Sequence, residues 1–337
     1  MKNLFFKAMW GLCLTLCAAG CQLHEEPGMT ANGEIGIDPT EITVNAQLSV
    51  QLTTMNQTMS SCNDDWKNYK HRFIIETFLN DNSSIRQIYY EDIVQERTYI
   101  KIPVSMKLHA RPYRIAVWSD YVNGNTKEED LFYNTTTLTP VIGNDGYKGN
   151  SDWKDAFYGF TKLDLSDYRN EWNAQISLEM ELKRIVGRYT LLATDMNKLM
   201  EKVQNGEAAD GEFTVRVKYS DYLALGFDIL TEELCNKLLY MSYSKKFKLP
   251  AEATSDFEIG FDYVFCKDAE TKIPIEVEVT DSNKKVVARS FIRLKCSPDM
   301  NTTVRDNFLT ADPSLAGDGV GIDPDFDEEI DMEVDVI

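Results

Sequence analysis

The chain is short of the residues that mark the commoner chemistries. It has 337 residues and only three histidines, His24, His71 and His109, none with a partner at metal-ligand spacing. Seven cysteines are present with no C-x-x-C among them, which removes the usual zinc and dithiol redox signatures. No G-x-S-x-G elbow and no phosphate-cradling glycine loop occurs. No apolar run is long enough to cross a bilayer as a helix. Basic residues are also scarce: 35 Lys and Arg stand against 54 Asp and Glu, a net charge of −19. A nucleic-acid partner would have to approach through that negative field, so none is expected. Together these absences predict a protein that is not an enzyme and that holds no cofactor.

The composition is that of a folded protein, 43% hydrophobic and 11% aromatic. Its length suggests two domains.

The first twenty residues carry a separate signal. Lys2 and Lys7 precede an apolar run from Ala8 to Ala19, too short to span a membrane but suited to the core of an export signal. The run ends in Ala18-Ala19-Gly20-Cys21, which resembles the lipobox of bacterial lipoproteins. That resemblance implies cleavage before Cys21 and acylation of its thiol and new amine, a stable attachment to membrane lipid. Residues 1–20 are then a signal peptide and 21–35 a lipidated tether. The acidic pair Glu25-Glu26 resembles an export signal to the outer face of the outer membrane. Of the remaining cysteines, Cys62, Cys235, Cys266 and Cys296, the last two fall in apolar alternating segments, where buried free thiols are expected; an exported chain also permits disulfides.

Strand patterns dominate the rest of the chain. Period-two alternation marks Ile42 to Leu52, Tyr69 to Leu79, Tyr99 to Met106 with Pro103 suggesting an edge, Arg114 to Trp118 and Ala174 to Leu182. Asp81-Asn82-Ser83-Ser84 reads as a break. Further strands are expected at Gly187 to Ala193, Phe213 to Val217, Phe257 to Phe265, Ile273 to Val279, Val286 to Leu294, Thr302 to Leu309 and Ile330 to Val336. Asp281 to Lys285 reads as a hairpin loop. Helices are few: one after Thr194 or Asp195 with Met196, Leu199, Met200 and Val203 on its apolar face, and a short one starting near Thr231-Glu232-Glu233-Leu234. Many short strands punctuated by turns indicate antiparallel sandwiches, divided into residues 36–184 and 185–337.

Two acidic features are candidate sites. Asp120 with Asp155, or Asp152 with Asp155, could supply a glycosidase carboxylate pair, but nothing in the sequence sets them the required distance apart, and 54 acids make such pairings common. From Gly317 onward there are nine acids and no base; Asp323, Asp325 and Asp327 alternate as oxygen ligands for Ca²⁺, without the glycine and glutamate of an EF-hand. The competing reading is an edge strand in which Ile330, Met332, Val334 and Val336 alternate with acids that discourage unwanted pairing. Trp118, Tyr121, Phe157 and Phe160 are expected in the core rather than on a carbohydrate platform. Asp120, Asp155 and Asp195 are expected to cap turns and helices.

Several motifs resemble a fimbrillin-related lipoprotein family of Bacteroides and its relatives, described as cell-adhesion proteins or as domains of unknown function. They are Ala116 to Val122 (AVWSDYV), Phe132 to Thr135 (FYNT), Asp155 to Gly159 (DAFYG), Gly187 to Asp195 (GRYTLLATD), Leu225 to Asp228 (LGFD), Asn307 to Thr310 (NFLT) and Gly319 to Asp327 (GVGIDPDFD). One departure is Arg184-Ile185, where that family often has Arg-Pro. The resemblance implies an all-β protein of two tandem transthyretin-like antiparallel β-sandwich domains with few short helices. It further implies an outer-membrane surface lipoprotein facing the cell exterior, a pilus anchor, accessory or adhesion component. Its partners would be fimbrial subunits or other surface proteins, joined by strand exchange, with Ile330, Met332, Val334 and Val336 as the exchange candidates. Arg72 is the first arginine of the chain, so an arginine-specific protease has no site before or within Ile42 to Leu52, which favours an anchor over a shaft subunit. The alternative is a glycan-binding surface lipoprotein of a nutrient-uptake system.

Overall fold

The computed structural model describes residues 42–53, 64–80, 82–94, 97–139, 141–143, 146–267, 270–315 and 331–336. Cys21, Cys62, Asp323, Asp325, Asp327 and Ile330 lie outside the described residues. The protein is all-β. In chain order the strands are β1 (Thr43–Thr53), β2 (Tyr69–Leu79), β3 (Asn82–Asp92), β4 (Tyr99–His109), β5 (Pro112–Asn123), β6 (Tyr133–Asn134), β7 (Val141–Gly143), β8 (Phe157–Asp164), β9 (Gln175–Glu181) and β10 (Lys183–Arg184). They continue as β11 (Val186–Ala193), β12 (Glu212–Tyr219), β13 (Leu223–Asp228), β14 (Glu233–Leu238), β15 (Ser242–Lys248), β16 (Phe257–Phe265), β17 (Thr271–Thr280), β18 (Val286–Cys296), β19 (Met300–Asp306) and β20 (Asp331–Val336). One α-helix, α1 (Met196–Gln204), lies between β11 and β12.

Among the described residues these strands form five sheets: β4-β1-β9, β10-β8-β5-β2-β3, β16-β11-β19-β20, β15-β12-β17-β18 and β14-β13-β7-β6. Pro103 sits in β4, an edge strand of its sheet, the position to which a residue without an N–H is suited.

The chain divides into two compact units that are not contiguous in sequence. Of the described residues, the first comprises 42–48, 104–113 and 163–178. Within it Asn45 N–H donates to Ala174 at 2.8 Å and Ala110 N–H to Ile42 at 3.2 Å. Its apolar side chains, among them Val44, Leu48, Met106, Leu108 and Leu165, are buried.

The second unit comprises the described residues within 49–103, 114–162 and 179–336. One of its cores is shared by β11, β12, β17, β18, β19 and α1, where Tyr189, Leu191, Phe213, Val217, Val277, Ile292, Val304, Met196 and Leu199 are all fully buried. A second core gathers Trp118, Tyr133, Val141, Phe227, Phe261 and Phe265, residues spread over 147 positions of sequence. Strand β11 pairs antiparallel with β16 and parallel with β19, so β19 enters the sheet only after a long excursion through β12 to β18.

Two segments depart from the expected pattern. The polar run at residues 81–84 does not end the strand region; β3 begins at Asn82 and folds back on β2, from Leu79 opposite Asn82 to Lys70 opposite Asp92. The left-handed backbone of Asn80, φ 50°, makes that tight reversal. The helix expected from Thr231 is also absent. Glu233–Leu238 is a strand paired with β13, reached through Glu232 at φ 55°. Asp228 Oδ1 accepts from the Leu230 and Thr231 N–H groups at 2.9 and 3.2 Å, so an Asx turn replaces the helix start.

Candidate functional site

The site is the outer edge of the sheet β16-β11-β19-β20 and the parts of the second unit that hold it. Strand β20 occupies the end of that sheet and pairs antiparallel with β19. The register sets Met300 opposite Val336, Thr302 opposite Val334, Val304 opposite Met332 and Arg305 opposite Asp331. Three of the four exchange candidates, Met332, Val334 and Val336, therefore lie on the described strand, each opposite a position of β19. Of their β19 counterparts, Thr302 and Val304 are fully buried.

Strand β19 is firmly tied on its other side. It pairs with β11 from Arg188–Asn301 through Ala193–Asp306. Thr302 Oγ1 donates to the Lys295 carbonyl at 2.6 Å, and Arg188 and Thr190 both reach Asn301 Oδ1. Beyond β19, Phe308 and Leu309 are fully buried. Asp195 was expected to cap α1, but its side chain makes no cap bond there. It accepts instead from Leu309 N–H at 3.1 Å and from Thr310 Oγ1 at 2.6 Å. The motif Asn307 to Thr310 is thus pinned by the acid that closes the motif Gly187 to Asp195. Gly187 has a related role: a Cβ there would stand 2.4 Å from the Ser297 carbonyl oxygen, so only glycine admits this approach of β11 to the start of the β19 turn.

The acids with catalytic potential are engaged by arginines. Asp120 receives Arg72 Nε at 2.8 Å and Nη2 at 2.6 Å, a bidentate pair made directly opposite in the β2–β5 register. Arg72 also reaches Asp130 at 2.7 Å. Burial pushes Asp120 up and Arg72 pulls it back, while Asp120 and Asp130 outweigh burial and hold the guanidinium above its usual range. Asp155 receives Arg184 Nε at 2.8 Å and Nη2 at 3.1 Å, and Arg184 Nη1 reaches Asp299 at 3.2 Å. Asp152 stands 3.8 Å from Arg188. Among the described residues no group of three His, Cys, Asp or Glu is placed to hold a metal.

Sequence reasoning missed one cluster. Lys154 Nζ lies 2.6 Å from Asp262 Oδ1, both side chains buried. Tyr219 donates to Asp262 Oδ2 at 2.7 Å, and Tyr147 donates to the same oxygen. The Tyr189 hydroxyl lies 2.9 Å from that of Tyr219 and 3.2 Å from that of Tyr243. Burial, opposed by Asp262, lowers the affinity of Lys154 for its proton, and burial raises the four phenols far above their usual range. The signal was present in the sequence as an acid, Asp262, set among the apolar residues Phe261, Tyr263, Val264 and Phe265. Next to the cluster is a cavity of about 190 Å³ lined by Phe132, Tyr133, Tyr147, Lys154, Leu223 and Tyr263, among others.

Trp118, Tyr121 and Phe157 are buried and Phe160 is half-buried, so they form no carbohydrate platform at the surface. The exposed aromatic side chains of the second unit include Tyr222 and Tyr240, 63% and 88% exposed.

His71 gives the second unit a pH response. It packs on Tyr121 with ring centroids 4.6 Å apart, and burial, helped by the charge of Arg97, lowers its pKa from 6.5 to about 4. The folded chain keeps it neutral where the unfolded chain has already taken a proton. Its contribution is therefore fully present above pH 6.5 and is lost as the pH falls toward 4, about 3 kcal/mol in all. Urea unfolding at pH 7 and pH 4.5 should show this loss in the wild type and a shallower one in His71→Phe; equal slopes would remove His71 from the account.

No helix among the described residues is long and apolar enough to cross a membrane. Several solved structures are similar. The fimbrial anchor protein Mfa2 of Porphyromonas gingivalis is 12% identical, with 77% of this chain and 90% of that one covered at a TM-score of 0.41. A candidate cell adhesion protein of Parabacteroides distasonis is 13% identical, with 86% and 96% covered at 0.41. A candidate polysaccharide-binding protein of Bacteroides thetaiotaomicron is 11% identical, with 79% and 94% covered, also at 0.41. No curated protein matches the sequence. A family model does match, over residues 38–337, a span that takes in β1, both cores, the buried ion pairs and β20: the chain belongs to the family of unknown function DUF6562.

Proposed function

We propose that the protein is a lipid-anchored component of the outer bacterial surface, related to fimbrial anchor and accessory subunits, that binds its partners by exchange or addition of a β-strand. It is attached through Cys21 and acts without catalysis or cofactor. The observation that carries this reading is β20 itself, a six-residue strand at the end of its sheet whose described pairing is to β19. Released from β19, such a strand gives up one ladder of hydrogen bonds and is free to pair with an open sheet edge of another chain. Main-chain bonds then supply affinity, and the alternation of Met332, Val334 and Val336 with acids supplies register. The motifs Asn307 to Thr310 and Gly319 to Asp327, which flank the approach to β20, belong to the fimbrillin resemblance and support the same reading.

Deleting residues 328–337 tests it. Co-purification with fimbrial subunits from intact cells should fall at least tenfold while the truncated chain remains folded by circular dichroism, a tenfold loss being about 1.4 kcal/mol of binding. Unchanged association would sink the exchange role of β20.

The second reading is a glycan-binding surface lipoprotein, favoured by the exposure of Tyr222 and Tyr240. It predicts loss of oligosaccharide binding on their replacement by alanine and indifference to the loss of β20.

A further inference from the structure

Two buried cysteines meet at the foot of β19. Cys266 directly follows β16, which belongs to the sheet that carries β20. Cys296 ends β18, which belongs to the sheet β15-β12-β17-β18. Both are fully buried and belong to the same core cluster, and each thiol shifts the proton affinity of the other. The surroundings hold them there. Cys266 N–H donates to the Ile185 carbonyl at 3.0 Å, and its thiol lies 3.4 Å from the Val264 carbonyl oxygen. Cys296 is fixed opposite Thr271 at the end of the β17–β18 ladder. Gly187 closes the space: a Cβ there would stand 3.2 Å from Cys266 Sγ and 2.4 Å from the carbonyl oxygen of Ser297, the residue after Cys296. Cys266 Sγ and the residue that follows Cys296 thus meet over Gly187, which brings the two cysteines to one point of the core.

We propose that in the exported protein Cys266 and Cys296 are joined in a disulfide that ties the two sheets together beside β19. This rests on the export reading of residues 1–21, because only an oxidising compartment sustains such a bond. The oxidant is a disulfide-bearing compound or oxidoreductase met during folding, before the pair is buried. One cysteine thiolate attacks the oxidant's disulfide, forming a mixed disulfide and releasing one thiol. The second thiolate then attacks the protein sulfur of that mixed disulfide and releases the other thiol. The protein loses two hydrogens and the oxidant gains them. The bond lies a few residues before β19 begins at Met300, so it keeps the two sheets joined when β20 departs.

The test uses the full chain taken from cell membranes, denatured in N-ethylmaleimide and digested without reductant. Mass spectrometry should find the peptides of Cys266 and Cys296 linked and unalkylated, with Cys235 alkylated as the internal control. Alkylation at both 266 and 296, or pairing of either with another cysteine, overturns the proposal. The N-terminal peptide from the same digest separates the two readings: an acylated Cys21 leaves export standing when the bond is missing, and an intact Met1 removes both. In a second measurement, the purified chain is refolded with oxidised and reduced glutathione. It should form the same link and melt at a higher temperature than after reduction, and Cys266→Ala should abolish that difference. A refolded chain that does not form the link also overturns the proposal.

Discussion

Asp262→Ala should destabilise the second unit by about 3–5 kcal/mol, a large share of the roughly 5–15 kcal/mol that holds a typical domain together. The cost does not arise because the ion pair is strongly stabilising. Bringing Lys154 and Asp262 out of water is itself expensive, and their attraction together with the phenol hydrogen bonds offsets that expense. Removing the carboxylate leaves an ammonium with a lowered proton affinity in a dry site, and it takes away the acceptor of the Tyr147 and Tyr219 hydroxyls. The double variant Lys154→Met/Asp262→Leu removes both charges and should cost less than Asp262→Ala alone. Denaturant midpoints measure all three. A double variant at least as damaging as the single one would show that the pair itself stabilises the fold.

Trp118→Ala should cost a similar amount, about 3–5 kcal/mol, for a different reason. Trp118 is fully buried and meets Tyr133 edge to face, with centroids 5.3 Å apart. It belongs to the core that also contains Val186, Phe227 and Phe265, so truncation opens a void among strands from distant parts of the chain. Rigid β-strands collapse poorly around such a void, and the lost contacts add to the lost burial. A cost below about 1 kcal/mol would mean that the site relaxes and that this core is less tightly packed than its burial indicates.

The two variants probe parts of the molecule that the sequence disclosed unequally. Strands β2 and β16 have the expected ends although both are buried on two faces, while β4 is half-buried and writes its two faces into neighbouring residues. Strand β3 escaped notice because its first residues, Asn82-Ser83-Ser84, have turn composition, and only the left-handed Asn80 and the partner strand make them part of a ladder. The acids Glu232 and Glu233 imitate a helix start, yet pairing with β13 outweighs local propensity. The ion pairs were hidden for a simpler reason. Lys154 and Asp262 are 108 residues apart and Arg184 and Asp155 are 29 apart, distances over which one sequence carries no register. Their contacts exist only once the sheets have assembled. The proposed exchange strand was legible as a pattern, since Met332, Val334 and Val336 alternate with acids, and the structure adds its position at the end of a sheet, opposite β19.

The most direct measurement is a photocrosslinking pull-down from intact cells with the probe placed at Glu333 in β20. Strand exchange predicts that the dominant crosslinked partners are fimbrial subunits and that the yield collapses when residues 328–337 are removed and the probe is moved to Thr303, its opposite position on β19. Crosslinks confined to glycan transporters of the outer membrane, or none beyond the chain itself, would contradict it.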